Sequence, residues 1–247
     1  MKLAVVSHSG GLDSTTLMGY MLENDYIVQP ITLNYGQQNI VEMKAQENVV
    51  KYFQDRYGKD KVFDTIKLDL TPIINPIQEI INNFRVNGFE NKELDDANLK
   101  HYFPNRNLLF SSIAGVFAET LGYLHGLKEV SVCIGIHKHT TYKPYWDITS
   151  DFANAVQNVA NLNDTMKIDI ATPFVEWTKS DIVKYMVEKN IPYELTWTCY
   201  EPEINGEYYL PCRVCQACIE RENAGIKTNI NNINEYNCKV ESSDKLS

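Results

Sequence analysis

Two strings of residues in this chain have the types and spacing to do chemistry. The first is Ser9-Gly10-Gly11-Leu12-Asp13-Ser14-Thr15-Thr16, placed after the apolar run at residues 3–6. Leu17, Met18, Met21 and Leu22 continue at helical spacing, so the string lies where a strand turns into a helix. That geometry points free backbone N–H groups at an anion, and the helix dipole adds attraction. Gly10 and Gly11 permit a tight turn, while Ser9, Ser14 and Thr15 carry hydroxyl donors. Asp13 suits a helix cap or a magnesium ligand. Two glycines alone would fit an ordinary turn; it is the whole string that favours phosphate.

The second string holds Cys199, Cys212, Cys215 and Cys218, separated by 12, 2 and 2 residues. Three thiolates in one knuckle and a fourth returning from a short hairpin can complete a tetrahedron, so zinc is the expected ion. Four sulfur ligands also satisfy an iron–sulfur cluster, which stays as the alternative. Either way the ligand set leaves no open position, and the role expected is structural: to fix one wall of a cleft. Cys133 and Cys238 have no such partners nearby in sequence.

Elements must position these groups. Apolar runs at 3–6, 26–33, 62–68 and 130–135 predict buried strands, and helical spacing covers 14–23, 40–54, 106–124, 150–162 and 179–189. Strands alternating with helices predict an α/β fold, a doubly wound parallel sheet covered on both faces. Ligands of such sheets bind beyond the carboxyl ends of the strands. Residues 71–103, with Pro72, Pro76, Gly88 and an acidic run, break the rhythm and are expected to be a lid-like insertion or a disordered excursion. The division expected is residues 1–190 as an α/β domain, 191–226 as a cysteine segment and 227–247 as a polar, disordered tail.

The 247 residues, 44% of them hydrophobic, suffice for one full core. A net charge of −9 argues against a broad phosphate-backbone footprint and favours a small-molecule substrate without direct nucleic-acid binding. No stretch reads as the roughly 20 apolar residues that cross a bilayer, so no membrane contact and a cytoplasmic location are expected.

Ser9 to Ser14 resembles the PP-loop of the N-type ATP pyrophosphatases, and it lacks the Gly-Lys-Ser/Thr ending of a Walker A loop. The resemblance implies ATP bound through residues 9–16, an adenine nucleotide alpha hydrolase-like fold, magnesium, and release of pyrophosphate after attack on the α-phosphate. Pro173-Phe174 followed by Trp177-Thr178-Lys179-Ser180-Asp181-Ile182 is similar to that superfamily's late Lys-x-Asp/Glu-Ile helix start. Lys179 is thereby expected on the leaving pyrophosphate.

A narrower resemblance rests on Thr198-Cys199-Tyr200, on Cys212-x-x-Cys215-x-x-Cys218-Ile219-Glu220-Arg221-x-x-Ala224, on Phe103-Pro104-Asn105-Arg106-Asn107 and on Leu33-Asn34-Tyr35-Gly36-Gln37. Together these strings resemble the 7-cyano-7-deazaguanine synthases. The resemblance implies that 7-carboxy-7-deazaguanine, ATP and ammonia give first the amide and then the nitrile, for queuosine, archaeosine or modified-DNA bases. It also implies a zinc ion on the four cysteines and a homodimer. Asp13, Ser14, Arg106 and Lys179 are the expected catalytic residues, and Tyr35, Gln37, Arg106 and Asn107 the expected substrate contacts. Two departures stand on the substrate side. Gln37-Gln38-Asn39 replaces the family's Gln-Arg-His, and Tyr142 to Thr149 replaces its Tyr-Pro-Asp-Cys-Arg, leaving only Tyr142 and Asp147 to carry over. His137 and His139 read as a polar strand-exit pair rather than metal ligands.

Overall fold

Strand β1 (Lys2–Ser7) buries Leu3, Ala4, Val5 and Val6 without alternation, the signature of a central parallel strand covered on both faces. Beside it lie β2 (Tyr26–Asn34) and β4 (Glu129–Cys133), with β3 (Ile66–Asp69) and β5 (Lys167–Ala171) outermost. The order β3-β2-β1-β4-β5 and the all-parallel pairing define a doubly wound sheet. Its crossovers change direction between β1 and β4, and that switch point is where a ligand crevice opens. The computed structural model describes residues 1–36, 40–86, 103–138, 145–205 and 208–226.

Among the described residues six helices accompany the sheet: α1 (Leu12–Glu23), α2 (Ile40–Tyr57), α3 (Thr71–Val86), α4 (Arg106–Leu124), α5 (Ser150–Ala160) and α6 (Lys179–Glu188). On one face Leu17 and Met18 of α1, Phe53 of α2 and Ile182 and Met186 of α6 form a core with Phe174. On the other, Ala114 and Ala118 of α4 and Phe152 of α5 pack against Val5, Val132 and Ile168. Each face thus buries its own apolar cluster, as two-sided coverage requires.

Three differences from the sequence reading have physical causes. Strand β5 was not among the expected strands because Lys167-Ile168-Asp169-Ile170-Ala171 alternates instead of running apolar, which suits a half-exposed edge position. The expected third strand shrinks to Ile66–Asp69, and Val62 contributes only an isolated bridge to Val28. Helix α3 fills the first half of the segment expected to be irregular: Pro72 is tolerated in a first turn, and Ile74 is fully buried as an anchor. The remainder of that segment, residues 87–102, and the polar tail 227–247 lie outside the described residues.

Helix α4 also corrects the expectation about membrane-length stretches. Over Arg106–Leu124 it is long and apolar enough, by length and composition, to cross a bilayer. Here it packs on β1 and β4 instead, turning its small residues Ser111, Ala114, Ala118 and Gly122 inward.

After α6 the chain forms a small antiparallel hairpin, β6 (Glu203–Asn205) and β7 (Tyr208–Leu210), and then α7 (Gln216–Asn223). Trp197, Cys199, Tyr209 and Cys218 pack against Val41 and Ala45 of α2. The buried Arg221 anchors α7, donating to Thr196 Oγ1 at 2.8 Å and to the Tyr193 carbonyl at 2.7 Å. The cysteine segment is therefore seated on the helix that follows β2.

Candidate active site

At the exit of β1 the chain turns through Gly10 with φ +84°. A Cβ there would come within 2.5 Å of the Glu42 carbonyl oxygen and 2.6 Å of the Gln46 nitrogen, so only glycine lets the loop lie against the start of α2. The Trp197 N–H donates to the Gly10 carbonyl at 3.0 Å, tying the loop to the cysteine segment as well. Inside the turn, the Ser9 N–H donates to Ser14 Oγ and the Gly11 N–H to Ser9 Oγ, each at 3.2 Å. No side chain caps α1, whose N-cap is Gly11. Its first-turn N–H groups therefore face the loop in the manner of an anion cradle.

Not every residue of the loop string points its side chain there. Leu12, Thr15 and Thr16 are buried. The Thr15 hydroxyl lies 3.2 Å from His8 Nε2, and the Thr16 hydroxyl donates to the Leu12 carbonyl at 2.7 Å. These three can meet a phosphate only through backbone. Ser9 is exposed and Asp13 partly so, while the buried Ser14 turns its hydroxyl into the loop, against Ser9 and the Gly11 carbonyl.

Lys179 arrives from the far end of the sequence. Thr178 and Asp181 form a reciprocal capping box at the start of α6: Asp181 Oδ2 accepts from the Thr178 N–H at 3.0 Å, and Thr178 Oγ1 from the Asp181 N–H at 3.3 Å. The cap fixes Lys179 at the first helical position, from which its ammonium reaches both carboxylate oxygens of Asp13 at 2.6 Å. His137, leaving β4, brings Nε2 to 3.7 Å from Asp13 Oδ2 while its Nδ1 lies 3.2 Å from the Lys138 carbonyl. So this histidine borders the phosphate loop, which the sequence reading of a plain strand-exit residue did not show. Its signal was available, since a β4 exit beside β1 must face the β1 loop.

A second group gathers at the exit of β2. Arg106 opens α4 after Asn105, which adopts the left-handed conformation at φ 57°. Burial works against the Arg106 charge, but Tyr35, Tyr200 and Asp147 outweigh it and hold the guanidinium above its ordinary value; Tyr35 is also its hydrogen-bond partner. Burial in turn raises the Tyr35 hydroxyl against the pull of Arg106. The Tyr35 ring stacks on Phe103 at 6.1 Å and tilts against Phe110 at 5.5 Å. The Asn107 side chain donates to the Asp147 carbonyl at 2.9 Å and its N–H to Asp147 Oδ2 at 3.3 Å. Asn107 therefore holds Asp147, and Asp147 faces Arg106. Gln37, the remaining expected substrate contact, lies outside the described residues, as does His139.

Glu42, in the first turn of α2, joins the two groups and was not singled out from the sequence. Burial pushes its carboxyl up to about 7, against the pull of Arg106. Its position seven residues after Tyr35, in the first turn of a predicted helix, sets it near the β2 exit, but nothing local in the sequence brings it to Arg106. A cavity of about 700 Å³ beside Tyr123, Lys128 and Met166 opens at the opposite, amino-terminal end of β5 and, among the described residues, holds no comparable cluster.

The four cysteine sulfurs lie within 4.8 Å of one another. The Cys212 N–H donates to Cys199 Sγ at 3.2 Å and the Cys215 N–H to Cys212 Sγ at 3.4 Å, with Arg213 left-handed between them at φ 63°. Metal–sulfur bonds of about 2.3 Å fit a set so closely spaced, and no disulfide joins any of the four. The cluster could hold zinc.

A glycine loop at the switch point of a five-stranded, doubly wound parallel sheet, with a lysine ion pair inside it, defines the class: a nucleotide-binding α/β protein with a C-terminal cysteine knuckle. The family follows from residues 3–229, which match the sequence profile described as "Queuosine biosynthesis protein QueC", so the chain belongs to the QueC family. A protein of Thermoplasma volcanium named 7-cyano-7-deazaguanine synthase is 34% identical over 221 residues, 88% of this chain and 83% of that one. One of the same name from Archaeoglobus fulgidus is 32% identical over 90% of this chain and 84% of its own. Among solved structures, a 4-thiouridine synthetase in complex with RNA and bound ATP overlaps with a TM-score of 0.47 and 16% identity, over 87% of this chain but only 45% of that one. That last likeness is too slight to bear on function.

Proposed function

We propose that this chain is an ATP-dependent synthase that converts 7-carboxy-7-deazaguanine and ammonia to 7-cyano-7-deazaguanine through the amide. Membership of a family whose relatives carry that name supports the reading. The observation that carries it is the juxtaposition, at one end of the sheet, of the Ser9–Ser14 loop with Lys179 and of Arg106 with Tyr35. The first group suits a triphosphate and the second a carboxylate on a flat ring.

On this reading Arg106 pairs with the substrate carboxylate and turns one oxygen toward the α-phosphate. Attack there forms the acyl adenylate and frees pyrophosphate, whose charge is received by the loop N–H groups, Ser9, Ser14 and Lys179. The same residues serve again when the amide oxygen is adenylated. Asp13 is placed to hold magnesium once Lys179 swings from its carboxylate onto phosphate. Tyr35 and Arg106 border the face of the heterocycle, and Asn107 acts through Asp147. Zinc on Cys199, Cys212, Cys215 and Cys218 would brace the wall formed by Trp197 and Tyr200, without touching the reacting atoms. Free or partner-delivered ammonia, a homodimer, a cytoplasmic setting and the absence of direct nucleic-acid binding complete the reading.

The test is incubation with 7-carboxy-7-deazaguanine, ATP, magnesium and ammonium, followed by mass spectrometry. Nitrile with AMP and pyrophosphate is expected. ADP and phosphate as primary products, or an unreacted acid, would overturn it.

A further inference from the structure

We propose that Glu42 is the catalytic base of this site, taking the N–H protons that the ammonia-derived nitrogen loses as AMP departs. The inference rests on the reaction proposed above and adds a residue to it.

Placement is the first ground. The backbone of Glu42 lies against Gly10, its carbonyl oxygen 2.5 Å from where a Cβ would stand. Its carboxylate is coupled by charge to Arg106 of α4, to Tyr35 at the β2 exit and to Tyr200 of the cysteine segment, and Arg106 is coupled in turn to Asp147. Glu42 thus stands between the loop that would hold the α-phosphate and the arginine that would hold the reacting carboxylate. Both bonds that change lie between those two groups.

Availability is the second. The other carboxylates near the site are engaged: Asp13 by Lys179 at 2.6 Å, and Asp147 by one hydrogen bond, from the Asn107 N–H to its Oδ2, and by the charge of Arg106. Among the described residues none donates a hydrogen bond to the Glu42 carboxylate. A carboxylate in the first turn of a helix is ordinarily favoured in its charged form, yet here burial dominates and brings the group to about 7. A base is most effective when it titrates near the working pH.

The chemistry needs such a group twice. In the first half, ammonia adds to the carbonyl carbon of the acyl adenylate and leaves a tetrahedral centre bearing –NH3+. Glu42 takes one proton, the carbon–oxygen bond to AMP breaks with its electron pair going to the AMP phosphate oxygen, and the amide forms. In the second half, the adenylated amide is an imidate carrying =NH2+. One proton passes through Glu42 to water. Glu42 then takes the other as the nitrogen lone pair closes the triple bond and the carbon–oxygen bond to AMP breaks again.

The experiment compares Glu42→Gln and Glu42→Asp with the wild-type protein, once the latter is shown to make nitrile; a wild-type protein that makes none would defeat the reaction itself, not the base. Expected for Glu42→Gln is a kcat lower by roughly 10²- to 10⁴-fold for both amide and nitrile formation, with an unchanged KM for the heterocycle and retained ATP–pyrophosphate exchange. The acidic limb of the wild-type kcat/KM profile should lie near 7, vanish in Glu42→Gln and move down in the partly active Glu42→Asp. Unchanged kcat in Glu42→Gln overturns the proposal, as does a raised KM with kcat kept, which would make Glu42 a reader of the heterocycle's edge. Should Glu42→Gln fail to fold by circular dichroism, the Glu42→Asp profile decides, and an unmoved limb there overturns it.

Discussion

Lys179 holds its ammonium 2.6 Å from both oxygens of Asp13 across 166 residues of sequence. On the proposed reading each group is the other's placeholder for charges that arrive with substrate: phosphate for the lysine, a divalent cation for the aspartate. The ion pair would then open for turnover, and its members would act after nucleotide binds. Lys179→Ala is expected to lower kcat at least tenfold while KM for the heterocycle changes less than about twofold, the pattern of a group that stabilises the transition state. Steady-state kinetics with AMP and pyrophosphate measured together check this. A variant with kcat intact and KM raised would place Lys179 on the heterocycle instead.

Gly10 and Gly11 make unequal demands. At Gly10 a side chain meets backbone of α2 at 2.5 and 2.6 Å, and φ is +84°. At Gly11 a Cβ would stand 3.2 Å from the mobile Ser9 hydroxyl, with φ −76°. Gly10→Ala should therefore cost roughly 1–3 kcal/mol of stability from strain, a fall in Tm of about 2–4 °C per kcal/mol. Gly11→Ala should fall within about 1 kcal/mol of the parent. Calorimetry of the two variants separates them, and equal melting points would count against the close approach of loop and α2.

The parts of this arrangement legible in the sequence are those set by local pattern. Buried runs at 3–6 and 26–33 revealed central strands, the glycine string its own turn, and the four cysteines their knuckle. The Lys179 contact needed the superfamily resemblance, because nothing local tells a first-turn lysine from a solvated one. Strand β5 was hidden by its edge alternation, and helix α3 by Pro72, which a first turn tolerates, and by Pro76, which lies inside the helix. His137 and Glu42 became visible only through the sheet order. Their neighbours, Asp13 and Arg106, are 124 and 64 residues away in sequence, and no spacing rule reaches that far.

The cysteine cluster predicts one tightly held zinc per chain by elemental analysis. Trp197 reports on it, since its indole N–H donates to the Cys199 carbonyl at 3.0 Å in a buried setting. Chelation, or Cys215→Ser, should shift Trp197 emission to the red and loosen residues 196–226, because the ligand bonds form only in the folded state. Cys133→Ser serves as a contrast: Cys133 is buried in β4, away from the knuckle, and should leave the zinc content unchanged. Iron with inorganic sulfide in the pure protein would replace zinc by a cluster.

The last prediction concerns acid stability and follows from His8. This residue is 1% exposed beneath the phosphate loop; Nε2 meets Thr15, and Nδ1 has no hydrogen-bond partner among the described residues. Burial lowers its pKa from 6.5 to about 3, so the folded protein binds a proton here far less readily than the unfolded chain. The sign follows: the stability tied to neutral His8 is fully present above 6.5 and is lost as pH falls from 6.5 toward 3. Glu42 works in the opposite sense, because a raised carboxyl lowers stability as pH climbs from about 4.3 to 7. Denaturant melts of the wild-type protein and of His8→Phe at pH 7.5, 6 and 5 separate the two. His8→Phe should lose much of the decline between 7.5 and 5 while retaining the Glu42 trend, so its stability should hold or rise as pH drops. If both proteins decline in parallel, His8 is not neutral in the fold, and the imidazole has a partner that compensates its charge.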